Sequence, residues 1–174
     1  MTKEEITEVL DSWENLELLV KEISSNPDYF RLLMEIALES PEKKSWRAAY
    51  LADKIHDEFP ELLQPYLEKI ILKLKTEKND SKKRHFLKLV SMNQVPEKHY
   101  GFLVDYCFNA LSSELPPAVR VHAMQILYNI SEVEKDLKPE LAQVIEQEIE
   151  YRSTAGIRSR GKKLLNKLRK EIRE

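Results

Sequence analysis

A proline followed by an acid recurs along this chain of 174 residues, at Pro27-Asp28, Pro60-Glu61, Pro96-Glu97 and Pro139-Glu140, with separations of 33, 36 and 43 residues. Proline in the first turn of a helix gives up an N–H that would have no intrahelical acceptor, and an acid beside it faces the positive end of the helix dipole. Each pair therefore reads as a helix start. At +3, +6, +7 and +10 from the prolines stand Phe30, Leu33, Met34 and Ala37, then Leu63, Tyr66, Leu67 and Ile70. The third and fourth sets are His99, Phe102, Leu103 and Tyr106, and Ala142, Ile145, Glu146 and Ile149. Fourteen of these sixteen positions are apolar, at the spacing of one helix face, so the segments are copies of one unit. His99 and Glu146 are the exceptions.

Further helices lie between the proline-led ones. The stretch "AVRVHAMQILYNI" places Val119, Ala123, Ile126, Leu127 and Ile130 on one stripe. Thirty-eight residues later, "GIRSRGKKLLNKL" places Ile157, Gly161, Leu164, Leu165 and Leu168 the same way, and Arg158 falls where Arg120 fell. Arg84 and Arg47 continue the series at steps of 36 and 37 residues. Counted from Arg47, the core would receive Asp53 and Lys54. That helix is therefore expected to be rotated, with Ala48, Leu51, Ala52 and Ile55 inside.

The pattern predicts helices near 3–25, 27–39, 42–58, 60–76, 81–93, 96–112, 117–133, 139–153 and 156–172, joined by short polar connections. About nine helices in serial hairpins are an all-α, right-handed α-solenoid, here one domain over 1–174. A lone hairpin cannot bury its apolar faces, whereas stacked ones share a continuous core. Only three glycines occur, at 101, 156 and 161, so neither a Gly-rich phosphate cradle nor a nucleotide-binding turn is present.

These residues resemble HEAT repeats, of the armadillo-like class. The resemblance rests on "PPAVRVHAMQILYNI", on "GIRSRGKKLLNKL" and on the proline-led first helices. It implies that Arg120 and Arg158, at the apolar-Arg step of the second helix, brace adjacent repeats by bonding an acidic side chain or a helix end. It also implies that second helices line a concave wall. The segments 44–70 and 118–170 are similar to small Bacteroidetes-type HEAT-like proteins often labelled adenylosuccinate lyase. The sequence does not support that label: it has no Ser- and Gly-rich signature loop of that superfamily, and it is far shorter than a lyase subunit.

No catalytic or cofactor constellation emerges. His56, His85, His99 and His122 show no i,i+4 pairing and no ligand spacing, so no metal is expected. Cys107 lies on the apolar side of its helix and reads as packing. Trp13 and Trp46 are large enough to fill gaps between neighbouring repeats. The N-terminus is charged from its third residue and the apolar runs are short, so a cytoplasmic protein with neither a signal peptide nor a membrane span is expected.

Charge is unevenly spread. Residues 1–40 hold three bases against ten acids, a net of −7, and residues 152–174 hold nine bases against two acids, a net of +7. On the polar side of the last two second helices, His122, Gln125 and Asn129 recur as Arg160, Lys163 and Lys167. These six residues form the candidate partner-binding strip; a solvated polar cap on the terminal repeat is the competing reading. Lys73, Lys75, Lys78, Lys82, Lys83 and Arg84 form a second basic cluster at a helix junction. The expected activity is non-enzymatic: a scaffold or adaptor holding a protein or peptide on its concave face. Nucleic-acid or phosphate binding through the basic strip, for which alkylpurine DNA glycosylases give a fold-level precedent, is the alternative. Head-to-tail self-association through the opposite charges is a third.

Overall fold

The computed structural model describes residues 1–173. Among them are ten α-helices and no strand: α1 (Lys3–Ser12), α2 (Leu16–Ser24), α3 (Pro27–Glu39), α4 (Trp46–Glu58), α5 (Leu67–Leu74), α6 (Asp80–Ser91), α7 (Tyr100–Ser112), α8 (Pro117–Ser131), α9 (Lys138–Tyr151) and α10 (Ala155–Glu171). Contacts gather into two compact units, Met1–Leu89 and Val90–Glu174, with the boundary inside α6.

The proline markers coincide with helix starts. Pro27 opens α3 behind Asn26, whose Oδ1 accepts from the Asp28 N–H at 2.9 Å. Pro96 precedes a 3-10 turn, Glu97–His99, that runs into α7. Pro139 lies in the first turn of α9. Pro60 opens a 3-10 segment, Pro60–Tyr66, and α5 follows it. The cause is Pro65 inside that segment, which has no N–H to donate. Pro41-Glu42, a fifth such pair lying between the repeats, leads through a 3-10 turn, Lys43–Ser45, into α4.

The count of ten helices rather than nine comes from the first predicted helix, which is two. Trp13 and Asn15 both take left-handed backbone conformations, with φ of 58° and 53°. A capping box starts α1: the Thr2 Oγ1 accepts from the Glu5 N–H, and Glu5 Oε2 accepts from the Thr2 N–H at 2.8 Å.

In the first unit α3 packs against α1, α2, α4 and α5. Phe30, Leu33, Met34, Leu51 and Ile55 are fully buried there. Ala48, Leu51, Ala52 and Ile55 of α4 are inside as expected, and Lys54 is outside. Asp53 departs from expectation, because it is buried with them at 4% exposure. Its carboxylate is matched from α6: Oδ2 is 3.0 Å from His85 Nδ1, and Oδ1 accepts from Lys88 Nζ at 2.5 Å. Burial pushes the Asp53 carboxyl up, but the hydrogen bonds from His85 and Lys88 outweigh it and hold its pKa below the usual range. Trp13 packs on Trp46 and Tyr50, with ring centroids 5.6 and 5.3 Å apart.

In the second unit α8 is central, packing on α7, α9 and α10, while α9 packs on α10. Both stripes read from the sequence, Val119 to Ile130 and Ile157 to Leu168, are buried at every named position. Gly161 permits the approach of α10 to α9, since a Cβ there would lie 3.0 Å from Ile149. Cys107 is fully buried among these helices, and burial pushes its thiol pKa up.

Candidate partner-binding site

The site is built on α8 and α10. A buried ionic network sets α8 in place. Arg120, 6% exposed, donates through Nε to the Leu115 carbonyl at 3.0 Å and through Nη1 to Glu148 Oε2 on α9. Glu148 is buried too, and its Oε1 accepts from Arg152 Nη1 at 3.0 Å. Arg152 also donates to the carbonyls of Leu111 and Ser113. Three carbonyls at the α7–α8 connection thus gain charged donors from one network. Arg158, the equivalent of Arg120 in α10, is exposed, and its Nε donates to Ser153 Oγ at 3.3 Å.

On the polar side of the same helices, a chain of hydrogen bonds links three elements, α10, α8 and the end of α6. Arg160 Nη1 on α10 donates to Gln125 Oε1 on α8. Gln125 Nε2 donates to Asn129 Oδ1 at 2.8 Å, and Asn129 Nδ2 donates to the Ser91 carbonyl at 2.8 Å. Three of the six strip residues are therefore joined. Lys167 sits with its ammonium 5.2 Å from the centre of the Tyr128 ring. Lys163 is exposed on α10 and His122 is half-buried on α8.

The far end of α10 is fastened separately. Tyr128 OH donates to Glu171 Oε1 at 2.8 Å, and Lys138 Nζ donates to Glu171 Oε2 at 2.9 Å and lies 3.0 Å from Glu132 Oε1. Burial, then the hydrogen bond to Glu171, pushes the Tyr128 pKa up to about 12. The bond from Lys138 lowers the Glu171 pKa, and the same bond raises that of Lys138.

A family model described as a HEAT repeat domain matches residues 4–168. The chain belongs to the HEAT repeat domain family. Neither the search of curated proteins nor that of solved structures produced a match. HEAT repeats generally mediate protein interactions, and the family is generally non-enzymatic. Among the described residues, no helix is long and apolar enough to cross a membrane.

Other charged positions of this HEAT chain are spent internally. In the second basic cluster, Lys82 is buried at 3% exposure, donates to the Ser40 carbonyl at 3.1 Å and lies 3.9 Å from Glu77. Burial lowers its pKa. Lys83 pairs with Asp80 at 3.1 Å. Arg47, one member of the arginine series, donates from Nη1 to the carbonyls of Leu10 and Asp11 at 2.8 and 3.0 Å, and its guanidinium lies 4.8 Å from the Trp13 ring centre. Sequence reasoning passed over Arg152 and Glu148. Their i,i+4 spacing was visible, but an acid within the run "EQEIEY" gives no sign of burial.

Proposed function

We propose that this HEAT repeat protein is a non-enzymatic scaffold of the cytoplasm that binds an acidic segment of a protein partner along the polar face of α8 and α10. The hydrogen-bond chain from Arg160 through Gln125 and Asn129 to the Ser91 carbonyl carries this reading. Side chains already held in one arrangement lose less freedom when a partner arrives. Amide groups on Gln125 and Asn129 offer both donors and acceptors to a partner's main chain. Lys163, Lys167 and Arg160 beside them supply cations for carboxylates, within the net +7 of residues 152–174.

Fluorescence anisotropy with a labelled Asp/Glu-rich peptide tests this. A charged hydrogen bond contributes about 1.5–3 kcal/mol. Lys163→Glu/Lys167→Glu is therefore expected to weaken binding by at least about tenfold. Unchanged affinity in that variant, or no binding by the wild type at low salt, would sink the reading. The same +7 charge favours a second reading, a phosphate backbone as ligand. In that case single-stranded DNA or RNA outcompetes the peptide, and affinity falls steeply with salt.

A further inference from the structure

A groove of about 840 Å³ lies between α2 and α4 in the first unit. Its walls are apolar, with Leu16 and Val20 from α2, Tyr50 and Leu51 from α4, and Phe59 beyond its end. All but Leu51 are only half-buried. Glu17 and Glu58 stand at its rim, exposed, and among the described residues their side chains make no hydrogen bond or ion pair. Lys54, also on the rim, has its ammonium 5.6 Å from the centre of the Tyr50 ring. Lys21 and Asp57 line it too, so three acids, Glu17, Asp57 and Glu58, face two bases, Lys21 and Lys54, within a unit whose residues 1–40 carry a net of −7. Such a groove suits an apolar side chain flanked by cations that relieve the unpaired carboxylates.

The chain itself carries that combination. Ile172, 45% exposed, sits at the end of α10 with its N–H bonded to the Leu168 carbonyl at 2.9 Å. Lys170 and Arg173 flank it, both exposed and, among the described residues, without a side-chain partner. We infer that the groove between α2 and α4 takes the last turn of α10 from a second copy of the chain, giving head-to-tail association. The contact is heterologous, so each added copy presents a fresh groove or a fresh basic end. One helical turn covers far less than the roughly 1,200 Å² of a stable interface, so the association is weak and salt-sensitive.

Sedimentation velocity on the full chain at low and high salt decides the matter. The average mass should rise with concentration at low salt and return to the monomer at high salt. Glu17→Lys/Glu58→Lys and Lys170→Glu/Arg173→Glu should each abolish the rise. Mixing the two variants should restore it, because the reversed groove of one meets the reversed end of the other. Far-UV circular dichroism and melting of each variant show that the fold is retained, as exposed and unpaired positions allow. A wild type that stays monomeric at low salt overturns the inference. So does association that ignores the reversals, or a mixture that fails to recover.

Discussion

Replacing Arg120 by Met tests the account of the α7–α8 connection. Arg120 and Glu148 have side chains only 7% and 5% exposed. Removing one partner of a buried pair costs about 3–5 kcal/mol when the other charge is abandoned. Glu148 is not abandoned, since Arg152 still reaches its Oε1 at 3.0 Å. The Leu115 carbonyl, however, loses its donor. We expect a cost of about 2–4 kcal/mol, toward the lower part of that range. With a urea m-value near 2 kcal/mol/M, this shifts the midpoint by about 1–2 M. Two probes separate the effect by region. Both tryptophans, Trp13 and Trp46, lie in Met1–Leu89, so their emission follows that unit alone, while far-UV circular dichroism follows the whole chain. The dichroism midpoint should fall. A double-mutant cycle with Glu148→Gln should show a coupling of about 1–3 kcal/mol. Costs that simply add, or a midpoint that hardly moves, would refute the reasoning.

Three further substitutions test other features of the two units. Asp53→Asn should destabilise at neutral pH by about 2–4 kcal/mol, because a neutral amide with a single acceptor oxygen replaces the carboxylate that faces His85 and Lys88. Because the folded carboxyl has a lowered pKa, its contribution is present above the unfolded value of about 3.9 and is lost as pH falls through the folded one. Urea melts at several pH values should show the gap between variant and wild type closing in acid; a gap constant down to pH about 3 contradicts this. Gly101→Ala should stabilise by up to about 1 kcal/mol, since its Cβ meets nothing within 4 Å. Gly161→Ala should destabilise by about 0–2 kcal/mol, because the strain of pressing on Ile149 at 3.0 Å exceeds the gain in propensity. Thermal melts that rank Gly161→Ala above Gly101→Ala would contradict the packing described between α9 and α10.

What could be read in advance depended on the range of the interaction. Proline and the apolar period act within a turn or two, so the starts of α3 and α9 and the buried stripes of α8 and α10 were visible from residue order. The break after α1 was not, because "DSWENL" contains neither glycine nor proline. Asn15, of a type that tolerates positive φ, was its sole local signal. Asp53 could not be placed inside, because its partners stand on α6 more than thirty residues later. The strip residues were recoverable as a periodic set. That Arg160 reaches Gln125 depends on the sideways register of α8 and α10, and no local spacing encodes that register.

The left-handed pair at Trp13 and Asn15 has a consequence for the edge of the first unit. Positive φ in an ordinary residue costs about 1–2 kcal/mol. Trp13 carries that cost while its indole is gripped by Trp46, Tyr50 and the guanidinium of Arg47. Each residue of an uninterrupted rod turns the outline by about 100°. Without the break, Leu16 and Val20 would be swung round the axis and α4 would face a different side of its neighbour. The recess beside α4 thus depends on the turn at Trp13 and Asn15, whose first residue is anchored by its indole.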